Sequence, residues 1–342
     1  MKNSLTFSVC MPVYKGSKVL ARALQSIMEQ SFGDFEIIVG DDNPPEYHEE
    51  IKRTISIVQS FNHGQIRYVK NLINLGSAKT LKKLVSYARN DIIFSFCQDD
   101  ILLPGALQKT HDAFLLHRDV GAVTRPYYWF EKDPTEPMRA VLPYSSERDT
   151  VLSLSDGDRA IKKIFESLGQ ISGLAYRRKW LTTPFHKEIF VGHIYPFAGI
   201  LRRHRCVYLK DFTVAVDIKY SQTRHNPSIY TPSPTRSWVD MIESVYPKKK
   251  FSRIRAVAIE QIVTHFEGLV QIKNYAGMKL YIREVLLLLH YKRSSLTSLR
   301  FWAFVVVCTC LPPRLLQFIA DQYKKKFLAP NLKHLKASSL QL

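Results

Sequence analysis

Two pairs of adjacent carboxylates stand out as residues that could do chemistry. Asp41 and Asp42 follow the apolar run 35–40, and Asp99 and Asp100 follow the apolar run that begins at residue 92. Neighbouring carboxylates repel each other unless a positive charge lies close by, and hard divalent cations prefer carboxylate oxygens as ligands. For either pair taken alone, a solvated turn after a strand is the alternative interpretation.

The elements before these pairs decide where the carboxylates lie. Unbroken apolar runs are typical of strands buried on both faces, and here they alternate with helical patterns at about 17–28, 47–61 and 74–88. This alternation predicts an α/β fold with a mostly parallel sheet. Ligands bind outside the carboxyl ends of such strands, so both pairs are expected to face one crevice that holds a polar, metal-assisted ligand.

Other ligand classes lack their sequence signals. The loop after the first strand has no GxGxxG fingerprint, and GxxxxGK[ST] does not occur, which disfavours a dinucleotide or P-loop site. The five cysteines show no CxxC spacing, which favours reduced thiols in a cytosolic protein over disulfides or a zinc site. The first residues lead into only a short apolar run, so no secretory signal is expected.

The middle of the chain continues the α/β pattern less regularly. Helices are predicted at 107–117, 154–168 (with Ser155 as cap) and 195–203, and strands at 120–123 and 171–176. Between them, residues 125–150 are rich in Pro, Tyr and charge and are predicted to form a long irregular insertion. Long loops of this kind often act as lids or binding loops.

The charge of the chain is uneven. Its net charge is +19, and from Lys248 onward 17 basic residues stand against four acids, a net +13 that leaves +6 for the first 247 residues. A basic end indicates a polyanionic partner, either nucleic acid or an anionic membrane surface. No basic-aromatic interleaving occurs near the acid pairs, so nucleic acid is not the expected partner.

The C-terminal part is predicted to be helical. After a Pro-rich stretch near 227–234, helical patterns run at 238–246, 251–272, 276–290 and from 299 onward. The apolar run 301–311 is too short to cross a bilayer, whereas 314–327 is amphipathic and carries Lys324, Lys325 and Lys326. We expect in-plane association with anionic lipid, and packing on the first domain is an alternative compatible with it. The predicted division is 1–225 and 226–342.

The first 120 residues resemble the opening of family 2 glycosyltransferases of the bacterial surface-polysaccharide type. The resemblance rests on residues 8–15, 24–32, 35–42, 74–76 and 98–100, in that order. It implies a GT-A fold, Rossmann-like with a mostly parallel sheet, followed here by the α-helical extension. It also implies transfer of a sugar from a nucleotide-sugar donor to a lipid-linked or other saccharide acceptor, by inversion.

The resemblance also implies roles for individual residues. Pro12, Val13 and Tyr14 would lie against the nucleoside, and Asp42 would hydrogen-bond the base. Asp100 would bind Mn²⁺ or Mg²⁺ at the diphosphate, and Asp99 would hold the ribose or a metal-bound water. The metal neutralises charge on the leaving diphosphate. Two further residues could contribute: Lys79 could reach the diphosphate, although it is also explained as a surface lysine, and His225 could lie near the metal, although it also suits a surface loop.

The chain departs from the family at the catalytic base. Relatives usually place an acid before the helix that follows the acceptor-side strand, and this sequence has Gly192 and His193 there. A neutral imidazole can accept a proton near neutral pH, so His193 is a candidate base. Glu188 is a rival, and Asp211 and Asp217 are further alternatives.

The leading hypothesis is a membrane-associated glycosyltransferase that builds a surface polysaccharide or lipid-linked oligosaccharide at the cytoplasmic face of the membrane. Two alternatives remain: a non-catalytic family member that binds nucleotide-sugar as a scaffold, and a nucleic-acid-binding protein. Donor binding without turnover would indicate the scaffold. Binding to generic DNA or RNA that weakens steeply with salt would indicate the third hypothesis.

Overall fold

The structure, a computed structural model, describes residues 5–61 and 64–332. The strands within these residues are β1 (Phe7–Val13), β2 (Phe35–Asp41), β3 (Ile66–Lys70), β4 (Ile92–Ser95), β5 (Ile101–Leu102), β6 (Val120–Thr124), β7 (Tyr127–Phe130), β8 (Arg139–Val141), β9 (Thr150–Leu152), β10 (Leu174–Arg177), β11 (Arg205–Tyr208) and β12 (Val214–Asp217).

The helices within the same residues are α1 (Ser17–Met28), α2 (His48–Ser60), α3 (Ser77–Tyr87), α4 (Ala106–Leu116), α5 (Asp158–Ser167), α6 (Ile194–Leu201), α7 (Gln222–His225), α8 (Pro234–Val245), α9 (Lys248–Thr264), α10 (Gly268–Ala276), α11 (Met278–Tyr291), α12 (Leu299–Cys310) and α13 (Pro313–Tyr323). Short 3₁₀ or π turns lie at Arg178–Trp180, Pro227–Tyr230, Arg293–Thr297, Lys324–Leu328 and Ala329–Leu332.

The main sheet has the strand order β3-β2-β1-β4-β10-β6-β11-β9. Its first four strands are parallel, β10 runs antiparallel between β4 and β6, and β9 closes the far edge antiparallel to β11. A second sheet, β5-β12-β7-β8, stands beside it. The prediction of an α/β fold with a mostly parallel sheet and a helical C-terminal part is confirmed.

The prediction for residues 125–150 is wrong, because this segment contains β7, β8 and the first residue of β9. Its strands carry aromatic side chains that are almost completely buried, such as Tyr127, Tyr128 and Phe130. The charges and prolines of the turns between these short strands obscured their pattern in the sequence. Aromatic residues favour strands because they pack well on a pleated, half-buried surface.

Several predicted helix ends also differ. Ser17 is the first residue of α1 and not its cap; its backbone N–H and its hydroxyl donate to Glu50 at 2.8 and 2.9 Å. Ser155 does not cap α5, which starts after Gly157. The single helix predicted at 251–272 is two helices, α9 and α10.

The C-terminal helices fall into two sets by packing. Met241 of α8, Tyr246 just after it and Ala258 of α9 are buried in the same cluster as Tyr176 and Phe197 of the α/β part. Helices α10 to α13 share a separate cluster with Ile229 and Tyr230. The division at 225/226 therefore stays a prediction. In the part of the chain that the structure describes, none of the helices is long and apolar enough to cross a membrane.

Candidate active site

The carboxyl ends of three parallel strands meet at one edge of the main sheet. Val13, the last residue of β1, pairs with Asp41, the last residue of β2. On the other side of β1, Cys10 pairs with Ser95, the last residue of β4. The loop after β1 and both acid pairs therefore follow neighbouring strand ends, and the acid pairs lie in the turns of the two strands that flank β1.

The second acid pair forms a close cluster with a thiol. One ligand atom each from Cys97, Asp99 and Asp100 lies within 4.8 Å of the other two. Asp100 is buried, with 2% of its surface exposed, whereas Asp99 is partly exposed. The turn between β4 and β5 thus directs two carboxylates to one point at the sheet edge.

Distant parts of the chain hold the Asp100 carboxylate in place. The Ser172 hydroxyl, just before β10, donates to Asp100 Oδ2 at 2.5 Å. The backbone N–H of Asp217, at the end of β12, donates to Asp100 Oδ1 at 3.2 Å. The Ser172 Oγ also accepts a hydrogen bond from the Cys97 N–H at 2.8 Å, so this residue fixes both the carboxylate and the turn that carries it.

Arg22 of α1 ties a third carboxylate to the same cluster. Its Nη2 lies 2.7 Å from Asp217 Oδ2 and 2.7 Å from the backbone oxygen of Asp99. Asp217 is 1% exposed, and its other oxygen accepts the Lys219 N–H at 2.7 Å. The guanidinium therefore neutralises Asp217 and leaves Asp99 and Asp100 without a cationic side chain of their own among the described ion pairs.

The environment opposes ionisation of this acid pair. Burial raises the pKa of Asp99 to about 6, and the nearby Asp217 carboxylate adds to the effect while the Asp99 backbone N–H and Arg22 oppose it. Burial and the Asp99 charge raise the pKa of Asp100 well above its usual range. A bound cation favours the ionised form of nearby carboxylates. The ionised forms of Asp99 and Asp100 are therefore more stable with a cation bound than without one.

The donor set decides which cation fits. Two carboxylates suit Mg²⁺ or Mn²⁺, which prefer oxygen ligands and leave room for phosphate oxygens. The Cys97 thiol is nearby, but burial and the two aspartates raise its pKa far above the usual range, so it stays protonated at neutral pH. A thiol binds metals as the thiolate, so Asp99 and Asp100 are the residues that would hold the ion.

The loop after β1 is fixed to the turn that carries the acid pair. Gln98 accepts the Tyr14 N–H at 2.8 Å and donates to the Tyr14 carbonyl at 2.9 Å. A Cβ at Gly16 would lie 2.0 Å from Gln98 Oε1, so only glycine permits this approach. Pro12 and Val13 end β1 immediately before this contact, and the Val13 carbonyl accepts the Asp42 N–H at 2.8 Å.

Asp42 organises the start of α3. Its Oδ1 accepts hydrogen bonds from the Asn71 amide and the Leu75 N–H, and its Oδ2 accepts the Gly76 N–H, each at 2.8 Å. The carboxylate is 2% exposed. A hydrogen bond from Asp42 to the nucleobase of the donor would therefore come in addition to these three internal hydrogen bonds. Lys79 is exposed in the first turn of the helix that follows.

Asp41 is buried like its neighbour, with 0% of its surface exposed. Its Oδ1 accepts the backbone N–H and the amide of Asn43, each at 2.8 Å, and its Oδ2 accepts the Tyr68 hydroxyl. These bonds join β2 to β3 and shape the turn after β2. Both residues of the first acid pair are therefore buried and hydrogen-bonded within the protein.

His193 lies in the core of the protein. It is 4% exposed, and its Nε2 lies 2.9 Å from the Leu168 carbonyl, which assigns the ring proton to Nε2. Burial lowers the pKa of His193 to about 4. The ring is neutral at pH 7, and it is committed to a backbone hydrogen bond between the end of α5 and the start of α6. This setting does not favour the role of catalytic base that the sequence predicted for it.

Glu188 occupies a tight turn beside α3. Its carbonyl accepts the Gly192 N–H at 2.7 Å, and its half-buried side chain lies 3.4 Å from the Ser237 hydroxyl of α8. A Cβ at Gly192 would meet Ala78, in the first turn of α3, at 2.6 Å. The turn that carries Glu188 therefore packs against the helix whose start Asp42 holds.

The remaining predicted residues are more dispersed. Asp211 pairs with Lys109 of α4 at 2.9 Å, with 44% of its side chain exposed. The exposed His225 of α7 has its Nε2 2.6 Å from the Lys219 carbonyl, and the Lys219 N–H donates to Asp217. His225 thus lies on the loop that begins at the acid cluster, with no described contact to Asp99 or Asp100.

Sequence reasoning missed Ser172 and Arg22 altogether and considered Asp217 only as an alternative base. Ser172 lies 72 residues and Asp217 117 residues beyond Asp100. A single serine before a strand carries no signal of such a contact. Cys97 stands two residues before Asp99 in the sequence, but the only prediction made for its thiol was that it is reduced.

A mixed, mostly parallel sheet with a carboxylate pair after β4 places the chain in the GT-A fold class. Solved structures agree: S. aureus TarS 1–349 in complex with UDP-GlcNAc is similar at a TM-score of 0.59 and 14% identity, over 98% of this chain and 91% of that one. The Pyrobaculum calidifontis mannosyltransferase PcManGT, in complex with GDP-Man and Mn²⁺, is similar at a TM-score of 0.54 and 12% identity, over 98% and 89%. At these identities the similarity establishes the fold.

The family follows from the sequence. The model of the family described as Glycosyl transferase family 2 matches residues 8–179, half of the chain, and the protein belongs to this family. The putative colanic acid biosynthesis glycosyl transferase WcaA of Escherichia coli is 26% identical over 118 residues, 34% of this chain and 39% of WcaA. The alignments with curated relatives span only 30% to 43% of those relatives' own lengths.

Proposed function

We propose that this protein is a metal-dependent, inverting glycosyltransferase that moves a sugar from a nucleotide-sugar donor to a lipid-linked or saccharide acceptor. The observation that carries the proposal is the acid cluster after β4, where Asp99 and Asp100 lie together at the sheet edge. Family membership and nucleotide-sugar complexes of structures with the same fold support it.

The donor half of the site is assigned as follows. Asp100, held by Ser172 and Asp217, binds Mn²⁺ or Mg²⁺, and Asp99 orients the ribose or a metal-bound water. When bound, the ion stabilises the negative charge that develops on the leaving nucleoside diphosphate. Asp42 and the loop of Pro12, Val13 and Tyr14 receive the nucleoside, and Lys79 and His225 approach the diphosphate.

The acceptor half needs a base for the hydroxyl that attacks the sugar. Of His193 and Glu188, Glu188 is the better candidate, because its side chain is half-buried on the turn that packs against α3. His193 contributes by fixing α6 to the residues after α5. A single displacement with Glu188 taking the acceptor proton gives inversion at the sugar carbon.

The pathway proposed is surface polysaccharide synthesis, of the O-antigen or capsule type, at the cytoplasmic face of the cell membrane. Similarity to WcaA, whose name includes colanic acid biosynthesis, supports the pathway. The basic C-terminal region, residues 226–342, supports peripheral contact with an anionic membrane surface, where a lipid-linked acceptor would be found.

Thermal stabilisation by a panel of UDP-, GDP-, dTDP- and CDP-sugars tests the donor site. A ligand that binds only the folded protein raises its melting temperature by mass action, so one nucleotide should stabilise the protein in the presence of Mn²⁺. The Asp100→Ala variant should lose this shift, and Asp112→Ala, which removes an exposed acid of α4, should retain it. Equal shifts with Asp100→Ala would exclude Asp100 from the donor site.

A second candidate is a non-catalytic family member that binds nucleotide-sugar as a scaffold. The burial of His193, where relatives usually place the base, favours this alternative. It predicts donor binding with no release of nucleoside diphosphate, either with acceptor lipids or with water. Nucleoside diphosphate release that depends on acceptor and decreases at least tenfold in Glu188→Gln would support the enzyme instead.

A further inference from the structure

The last two helices of the described residues expose several apolar side chains to solvent. In α13 only Leu316 is buried, whereas Leu315, Phe318, Ile319 and Tyr323 are 44% to 59% exposed. Their spacing of i, i+3, i+4 and i+8 places these four side chains on one side of the helix. An amphipathic helix normally turns this side towards a core, and α13 turns it to solvent.

Helix α12 repeats the arrangement. Its inner residues, Phe301, Val305 and Cys308, pack in the same cluster as Leu316. On its outer side Leu299, Trp302, Val306 and Val307 are 85%, 39%, 55% and 45% exposed. Both helices also pack on α10. We call the eight outer residues of α12 and α13, together with Phe327 at 55% exposure, the terminal face.

The charges within residues 299–332 are mostly positive, and one of these cations, Arg300, lies 3.9 Å from Glu267 at the start of α10. Residues 299–332 contain five basic residues, Arg300, Arg314, Lys324, Lys325 and Lys326, and one acid, Asp321. Asp321 accepts from Lys324 at 2.9 Å and from Gln317 at 2.9 and 2.8 Å. The exposed Lys325 and Lys326 directly precede Phe327 in the turn after α13, so cations and an apolar side chain lie together at this end of the terminal face.

We propose that the terminal face docks in the plane of an anionic lipid bilayer, with its apolar side chains below the headgroups and its cations on lipid phosphates. This deepens the membrane part of the proposed function. The lengths fit: α12 has 12 residues and α13 has 11, about 18 Å and about 16.5 Å at 1.5 Å per residue, against a hydrocarbon core of about 30 Å. Exposed Trp, Phe and Tyr beside Lys and Arg are typical of interfacial helices.

A second copy of the chain is a less suitable occupant. A two-fold interface places the same patch on both subunits, so it would bring two sets of these cations together. Like charges at an interface oppose association, whereas anionic headgroups complement them. Charge complementarity therefore selects the lipid surface, and self-association becomes an outcome that the experiment can detect.

Sedimentation with vesicles tests the proposal without any donor sugar. The full chain should bind vesicles of equal parts phosphatidylglycerol and phosphatidylcholine at least roughly tenfold more tightly than phosphatidylcholine alone. Phe318→Ser with Ile319→Ser, and separately Lys325→Glu with Lys326→Glu, should each weaken binding by roughly tenfold or more. On binding, Trp302 emission should shift to shorter wavelength, and Trp302→Phe should remove that component.

Matched controls lie on the first part of the chain. Leu116→Ser changes an apolar side chain of α4 that is 78% exposed, and Lys52→Glu with Arg53→Glu reverses two exposed charges of α2. Both controls should bind vesicles as the wild type does. Equal binding to both vesicle types, or equal losses in the controls, would overturn the proposal. So would a dimer, seen by light scattering, that dissociates in the Phe318/Ile319 variant while vesicle binding persists.

The membrane and donor parts can fail separately. Asp100→Ala should still bind vesicles, and the Phe318/Ile319 variant should still be stabilised by the nucleotide-sugar that stabilises the wild type. If the wild type is stabilised by donor but does not bind vesicles, only the proposal of the docking surface is refuted. If the wild type binds vesicles but is not stabilised by any donor, only the proposal of a transferase is refuted.

Discussion

The Ser172 hydroxyl lies 2.5 Å from Asp100 Oδ2, a contact between residues 72 positions apart that joins the start of β10 to the acid cluster. The same oxygen accepts the Cys97 N–H, so Ser172 fixes both the carboxylate and its turn. With the Asp217 N–H on Oδ1, both oxygens of Asp100 are oriented before any ligand arrives. Such preorganisation is what a metal-binding carboxylate requires.

Ser172→Ala should weaken metal binding without abolishing donor recognition. A hydrogen bond to a charged group contributes about 1.5–3 kcal/mol, so the Mn²⁺ concentration for half-maximal stabilisation by donor should rise roughly tenfold or more. Ser172→Thr, which keeps a hydroxyl, should restore part of the affinity. Unchanged Mn²⁺ dependence in a folded Ser172→Ala protein would show that this contact does not position Asp100.

Arg22→Met should destabilise the protein by leaving Asp217 without its partner. Breaking a buried ion pair costs about 3–5 kcal/mol, and since 37% of the Arg22 side chain is exposed, we expect roughly 2 kcal/mol in urea denaturation. Adding Asp217→Asn should recover part of that loss, because the unpaired charge is then removed. A double variant less stable than Arg22→Met alone would contradict this account of the pair.

The raised pKa values predict how stability depends on pH. A carboxyl whose pKa is higher in the folded than in the unfolded state contributes stability below its unfolded pKa, and that contribution is lost as the pH rises through the folded pKa. For Asp99 the window runs from its usual pKa of 3.8 to about 6. The metal-free protein should therefore lose stability at this site over that range.

Asp100→Asn tests the sign of this effect. Removing one charge should stabilise the metal-free protein at about pH 7.5 by roughly 1 kcal/mol, and the difference should vanish near pH 4, where both acids carry protons. Thermal melts in EDTA measure it, with Asp112→Asn as control. A variant less stable than the wild type at the higher pH would show that the cluster is not under electrostatic strain.

Gly16→Ala tests the contact between the two loops. The new Cβ would lie 2.0 Å from Gln98 Oε1 and displace the side chain that holds both backbone groups of Tyr14. Donor affinity should fall roughly tenfold, in line with the loss of two neutral hydrogen bonds. Gly33→Ala is the matched control, because a Cβ there meets nothing within 4 Å. Equal donor affinity in both variants would show that this loop does not contribute to donor binding.

The strand ends that carry the two acid pairs could be predicted because their signals are local. Strands β1, β2 and β4 are mostly apolar runs; the first acid pair lies at the end of β2, and the second follows β4 after three residues. The parallel sheet then brings the strand ends to one edge. Periodicity and motif spacing contain this information without any knowledge of long-range contacts.

The residues that surround the second acid pair could not be predicted because their position depends on tertiary contacts. Ser172, Arg22 and Asp217 reach the acid pair from three separate elements, and no spacing in the sequence signals that they meet. His193 illustrates the converse. Its position suggested a base, but the packing of α6 buries the ring against Leu168, and burial cannot be inferred from one polar residue beside an apolar helix.

The most direct test of the central claim is a turnover assay of nucleoside diphosphate release from the donor that stabilises the protein, with acceptor lipids. The account predicts release that EDTA abolishes and Mn²⁺ restores, a decrease of at least roughly a hundredfold in Asp100→Ala, and wild-type rates in Asp112→Ala. Full activity in EDTA, or in Asp100→Ala, would contradict a metal-dependent transferase centred on this carboxylate.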